Sequence, residues 1–315
     1  MASHVLRVFF IKLKIGITYI AMSETEIINQ LASNTFTGDV NELFIKSSEC
    51  GHVKIVKILL TDSRVDPGAD DNYAIMLASE CGHVEVVKLL LADSRVDPGA
   101  GNNYAIKWAS RNDHVGVVKL LLKDSRVDPG AGNDYAIGCA SHNGHTEIVK
   151  LLLADSRVDP GAGNNFAIRW ASENGHVEVV KILLKDSRVD PGAGNNFAIR
   201  WALTNGHVEV VKILLKDPRV DPGADNNYAI GLASERGHFE VVKLLLKSLK
   251  HKFSVVNYIE ILIETPKKTC KEILPEIKEL LISHIMKYQW IMNNLLIQHL
   301  TIDLLSQINH FIAAN

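Results

Sequence analysis

Cysteine is scarce: four in 315 residues, at Cys50, Cys81, Cys139 and Cys270, with no CxxC pair among them. That excludes a zinc ribbon. Cys50 and Cys81 occupy the same place in successive copies of a repeated pattern, so they should stand one packed helix apart, about 8–10 Å. A disulfide tolerates a Cα separation of about 7 Å, so the cysteines read as free thiols in a reducing compartment. An excess of one charge sign is lacking as well. With 34 basic and 36 acidic residues the net charge is −2, which advertises neither nucleic acid nor an anionic membrane as a partner. Aromatic residues make up only 6%, yet hydrophobic residues reach 47%, enough for a packed core. No long apolar run survives uninterrupted at the start. Residues 5–21 are apolar, but Arg7, Lys12 and Lys14 break them up, which argues against a spanning helix or a signal peptide. We expect a cytoplasmic protein. The stretch MSETE from Met22 resembles an ordinary cytosolic beginning, and Ser23 with Glu26 has the spacing of a capping box.

What the chain has in abundance is repetition. The phrase DSRVDPGA begins at Asp93 and recurs, nearly unchanged, at Asp62, Asp124, Asp155, Asp186 and Asp217. A Gly-His pair keeps the same step at Gly51-His52, Gly82-His83, Gly144-His145, Gly175-His176, Gly206-His207 and Gly237-His238, with Asp113-His114 filling the gap. That makes seven units spaced 31 residues apart, the mark of a solenoid. Within residues 102–132, Tyr104, Ala105, Ile106, Trp108 and Ala109 predict a short first helix, with Asn103 placed to cap it. A second helix follows as HVGVVKLLLK, with Val117, Val118, Leu121 and Leu122 on one apolar stripe. The return loop is dense in Asp, Pro, Gly and Asn, which are turn formers. Certain positions never vary: the valine from Val56 to Val242, and the Leu-Leu pair from Leu59-Leu60 to Leu245-Leu246. One two-helix unit cannot bury its own apolar face, so neighbours must stack. The small alanines, Ala78 to Ala233, let units approach, while Val and Leu fill the layer between them.

GHVEVVKLLL after a short helix opening YAI and reaching AS resembles the ankyrin repeat over residues 41 to about 247. The resemblance implies a turn plus two antiparallel helices per unit, an all-α solenoid, and a protein-binding role without enzymatic activity. The family's usual unit is about 33 residues and opens its first helix with Thr-Pro-Leu-His. Here that opening reads Tyr-Ala-Ile-Lys or Phe-Ala-Ile-Arg and the loop is shorter, so Asn and an aromatic ring stand as the expected replacements. The wording of the loop is similar to the expanded ankyrin families of giant amoeba-infecting viruses and amoebae.

Patterns that suggest chemistry have simpler explanations. Seven histidines on a regular pitch invite a metal, but zinc needs its ligands about 2.0–2.1 Å from the ion, and rings a full repeat apart cannot share one. Each should instead support the turn into its second helix. Loop trios such as Asp93, Arg95 and Asp97 should form surface ion pairs, each contributing about 0–1 kcal/mol. The GAGNN stretch lacks the spacing and lysine of a phosphate loop. Serines near the histidines, Ser79 to Ser234, lack an orienting acid. We therefore expect no enzyme and no cofactor.

The informative positions are those that differ between near-identical units. They give candidate partner-binding residues Lys107, Trp108, Arg111, His142, Arg169, Trp170, Glu173, Arg200, Trp201 and Thr204. In an ankyrin-like stack these would line the concave face beside the loop tips. Trp and Arg are enriched in binding hot spots; the competing reading is that the three tryptophans only pack between repeats.

The organisation expected is residues 1–40 as an N-terminal extension and capping helix, 41–247 as the solenoid, and 248–315 as a C-terminal helical cap. Pro266 and Pro275 punctuate that last piece, which a solenoid needs as a polar closing unit. Within it LPEIKELLISHI, residues 274–285, faintly resembles the opening helix of F-box-like domains. The expected function is a monomeric scaffold binding protein partners, with neither nucleic acid nor membrane. The alternative is a substrate adaptor for a ubiquitin ligase, docked through those C-terminal helices.

Overall fold

The computed structural model describes residues 23–223 and 228–249, and among them it contains fifteen α-helices and no strand. Residues 1–22 of the N-terminal extension and residues 250–315 of the C-terminal cap, with Cys270 and the F-box-like segment at 274–285, lie outside the described residues. Helix α1 (Glu24–Ala32) opens on Ser23, whose Oγ accepts the backbone N–H of Glu26 at 3.2 Å. It is followed by helix pairs α2 (Val40–Cys50) and α3 (Val53–Leu59), α4 (Ala69–Glu80) and α5 (Val84–Ala92), α6 (Ala100–Arg111) and α7 (Val115–Leu121), α8 (Ala131–Asn143) and α9 (Thr146–Leu153). These make up one compact unit ending at Gly163. A second compact unit begins at Asn164, within α10 (Ala162–Glu173), and continues through α11 (Val177–Leu183), α12 (Ala193–Thr204), α13 (Val208–Leu214), α14 (Tyr228–Glu235) and α15 (Phe239–Leu249).

Each second helix buries the stripe that its sequence predicts. In α7, Val117, Val118 and Leu121 are all 0% exposed, and the recurring valine is buried in every unit from Val56 to Val242. The alanine of each first helix, such as Ala78 and Ala109 in the first unit and Ala171 and Ala202 in the second, is likewise buried. The invariant Leu-Leu pair divides in all but the last unit: Leu121 and Leu152 are fully buried, whereas Leu122 and Leu153 are partly exposed; Leu245 and Leu246 are both buried. The loop also contributes to the core. Val65, Val96, Val127 and Val158 in the first unit, and Val189 in the second, are buried, so the turn segment carries an apolar plug that its Asp, Pro and Gly content conceals.

Asn103 does not cap its helix as expected. It lies in a run of three left-handed residues, Gly101 (φ 60°), Asn102 (φ 59°) and Asn103 (φ 59°), ahead of the right-handed part of α6. Its Oδ1 instead accepts the backbone N–H of Asp128 in the next loop, at 2.6 Å. Asn72 does the same for Asp97 and Asp134 for Asp159 in the first unit; Asn165 and Asn196 do so for Asp190 and Asp221 in the second. Asn and Asp tolerate left-handed backbone better than other residues with a Cβ because their short side chains bond locally. Here that conformation aims the side chain at the following loop.

The histidines also reach farther than the turn beside them. His83 Nε2 donates to the carbonyl of Glu49 at 2.8 Å, and His114 to that of Glu80 at 2.8 Å. In the second unit His207 donates to Glu173 and His238 to Thr204. Each ring thus ties the end of one first helix to the following repeat, and packs on the glycine there. At Gly51, with φ 77°, an added Cβ would stand 2.6 Å from His83 Nδ1, so glycine is required for both conformation and space.

The loop arginines pair with the Asp of their own loop. Arg126 meets Asp124 through Nε and NH2, and also donates to the carbonyls of Val96 at 2.8 Å and Leu91 at 2.9 Å in the preceding repeat. The Arg126 guanidinium holds the Asp124 carboxyl below its ordinary range, and Arg95 does the same for Asp93. The ion pair therefore orients a cation whose remaining donors stitch two repeats together.

Candidate functional site

In the first unit the varying residues gather at the end of α6. Tyr104, Lys107, Trp108 and Arg111 fall at helical spacing along one face. The Tyr104 and Trp108 rings lie 5.2 Å apart, tilted by 35°, and the Arg111 guanidinium covers the indole at 4.8 Å from its centroid. Lys107 curls back, and its Nζ donates to the carbonyl of Asn102 at 2.6 Å. An added Cβ on Gly132 would stand 2.8 Å from that Nζ. Burial pushes the Lys107 pKa down. Lys107 is thus largely engaged by its own repeat and the next.

The pattern lapses in α8, where Gly138 and Cys139 hold the places of Lys107 and Trp108. Both are buried, and burial pushes the Cys139 thiol pKa up. Tyr135 is left 41% exposed, and His142 is exposed near the end of the same helix.

The second unit interleaves rings and guanidiniums. Phe166 and Trp170 stack with centroids 5.0 Å apart and planes 11° apart. Arg169 lies 5.3 Å from the Phe166 centroid and 4.5 Å from that of Phe197. Arg200 lies 5.3 Å from the Phe197 centroid. One Arg169 NH1 bond goes to the carbonyl of Asn164 at 3.4 Å, while its Nε is buried without a partner. Burial lowers the Arg169 pKa, partly offset by the nearby Glu173 carboxylate. Trp201 is 37% exposed.

Two expectations need correction. The candidate set took the tryptophans as its aromatic groups; the ring that each of Arg169 and Arg200 covers in its own repeat is Phe166 or Phe197, because residues three apart on a helix face each other. Thr204 is only 4% exposed, since its side chain is short and the next repeat covers it. What faces that repeat is its carbonyl, which accepts from Arg236 and His238. The signal that would have found Phe166, Phe197 and Tyr104 is the aromatic residue held three positions before each varying cation. Its constancy made it look like framework.

Ser79, Ser110 and Ser141 in the first unit, and Ser172 and Ser234 in the second, have buried hydroxyls without a hydrogen-bond partner, so no histidine activates them. Among the described residues no group of three or more His, Cys, Asp or Glu is placed to hold a metal ion, and no helix is long and apolar enough to cross a membrane. Cys50 and Cys81 are exposed and neither is disulfide-bonded.

A family model described as Ankyrin repeats (3 copies) matches residues 18–102, 43–133, 106–195 and 188–257. No curated protein matches the chain.

Proposed function

Since the chain belongs to the ankyrin-repeat family, we propose that it is a non-enzymatic, monomeric, cytoplasmic scaffold that binds protein partners through the varying ends of its first helices and the adjoining loop tips. Ankyrin repeats generally mediate protein–protein interaction and are typically non-catalytic. The observation that carries the reading is the set of indole rings and polar or charged side chains at Lys107, Trp108, Arg111 and His142 in the first unit and at Arg169, Trp170, Glu173, Arg200 and Trp201 in the second. These positions vary between units whose buried residues hardly change, so the stack does not dictate them. Rings supply affinity and charges supply steering. Residues 41–247 form the binding solenoid in this reading, between an N-terminal extension and a C-terminal helical cap. The loop wording supports placing it with the expanded families of amoeba-infecting viruses and amoebae.

Changing Lys107, Arg169 and Arg200 together to Glu tests the proposal. Helical circular dichroism should hold while captured partners fall away; a folded variant that still captures every partner would move the interface elsewhere, to the Asn-rich loop tips. The sequence of residues 274–285 supports a second reading, a ubiquitin-ligase adaptor. A chain ending near Leu246 should then lose ligase subunits that the intact chain captures, and their absence from both baits would remove that reading.

A further inference from the structure

We propose that the second helices of the first unit form a basic surface that binds an acidic segment of a protein partner, with apolar residues set among its carboxylates. This goes beyond the reading above, because it places a second interaction surface on helices that carry none of the candidate residues.

Every repeat has a lysine six residues after the glycine of its Gly-His pair, or after Asp113 in the third repeat, from Lys57 to Lys243. Three residues before that lysine most repeats carry a glutamate, at Glu85, Glu147, Glu178, Glu209 and Glu240. The first repeat has Lys54 there instead, and the third has Gly116. The glutamate pairs in two ways. In the second unit it meets the lysine of its own helix, Glu178 with Lys181 at 2.6 Å and Glu209 with Lys212 at 2.7 Å. In the first unit Glu147 meets Lys119 of the preceding repeat at 3.7 Å. Lys54 therefore deprives Lys57 of a partner in its own helix, and Gly116 deprives Lys88 of one in the next repeat. Among the described residues no ion pair reaches Lys54, Lys57 or Lys88.

Helices α3, α5 and α7 thus carry Lys54, Lys57, Lys88 and Lys119, all exposed, against Glu85 as their single acid. In α11 and α13 each lysine is balanced by a glutamate. The three helices of the first unit pack side by side in order, so their lysines share one surface. Two valines stand among them, Val53 at 38% and Val84 at 37% exposed. Val84 Cγ2 is 2.8 Å from where a Cβ on Gly116 would be, which sets the valine beside the place that a glutamate holds in other repeats. Both departures remove negative charge from exposed positions that the buried layer does not dictate. An excess of lysine is complementary to carboxylates, and the valines offer apolar contact to side chains between them. A phosphate backbone would leave those valines unused. None of the three helices has an aromatic ring to stack on bases, or a Trp or Phe to enter a lipid interface.

The test titrates the full chain into a fluorescein-labelled peptide repeating Glu-Glu-Leu and reads binding by fluorescence anisotropy. Restoring the glutamate of the other repeats, with Lys54→Glu and Gly116→Glu together, should weaken binding about tenfold, the scale of two or three exposed ion pairs lost at once. The fold already accepts glutamate at the equivalent place in other repeats, so helical circular dichroism should hold. Should Gly116→Glu fail to fold because Val84 does not turn aside, Lys54→Glu alone should weaken binding about threefold. Raising salt from about 50 to about 200 mM should weaken the wild-type complex. Changing Lys107, Arg169 and Arg200 together to Glu should leave the peptide's affinity unchanged. Absence of binding, an affinity that survives the restored glutamates, or an equal loss in the Lys107, Arg169 and Arg200 variant would each overturn the proposal. So would tighter binding of an oligothymidylate, or of phosphatidylserine vesicles, than of the peptide. If partner capture by the intact chain still depends on Lys107, Arg169 and Arg200, the scaffold reading stands and only this second surface falls.

Discussion

Leu152 and Leu153 are adjacent, chemically identical and equally invariant along the sequence, yet the structure gives them different energies. Leu152 is 0% exposed on α9, whereas Leu153 is partly exposed. Truncating a buried leucine to alanine removes three carbons; at about 0.8 kcal/mol per methylene the transfer loss is about 2.4 kcal/mol. The cavity left behind adds to this, so Leu152→Ala should cost about 3–4 kcal/mol. Leu153→Ala opens toward solvent, leaves no closed cavity and should cost about 1 kcal/mol. Urea unfolding of the full chain, followed by helical circular dichroism, measures both. In a stack stabilised by neighbour contacts, hydrogen exchange should also quicken in α8 and α9 for Leu152→Ala and much less for Leu153→Ala. Equal costs within about 0.5 kcal/mol, the usual spread for surface substitutions, would refute the division of the pair and the burial pattern behind it.

The loop arginines supply a matched comparison. Arg126 donates to two carbonyls of the preceding repeat as well as to Asp124, while Arg64 bonds only Asp62 among the described residues. Arg126→Ala should destabilise by about 1–2 kcal/mol, discounted because the side chain is 37% exposed. Arg64→Ala, which removes only the pairing with Asp62, should shift the urea midpoint less; an equal shift in both would mean that the inter-repeat bonds contribute nothing. The same pairs set a pH dependence. Asp62, Asp93, Asp124, Asp155, Asp186 and Asp217 all have carboxyl pKa values lowered chiefly by hydrogen bonds from their arginines. Their stabilisation is therefore complete above the unfolded value of about 3.9 and is lost as pH falls through the lower folded values. Urea midpoints should stay level from about pH 7 to pH 5 as far as these groups contribute, then drop below about pH 4; midpoints that rise on acidification would contradict the sign.

Chain sequence alone determined the period, the helix pair in each unit, and the buried Val and Ala positions. It could do so because every repeat samples the same environment: a residue that recurs seven times reports its surroundings without any knowledge of its neighbours. It also marked the sites for variation, since Lys107, Arg169, Arg200 and the tryptophans stand out against that constancy. What only the tertiary structure decided are the contacts that cross from one repeat to the next. His83 reaches back to Glu49, Arg126 to Val96 and Leu91, and Asn103 forward to Asp128. The same holds for the placing of Phe197 against Arg169, which turned an apparent framework ring into part of the candidate site. Linear spacing fixes which residues share a helix face. It does not encode where a side chain leaving that face meets the neighbouring repeat, because that depends on the separation of the stacked helices and on the left-handed Gly-Asn-Asn turns that aim each loop.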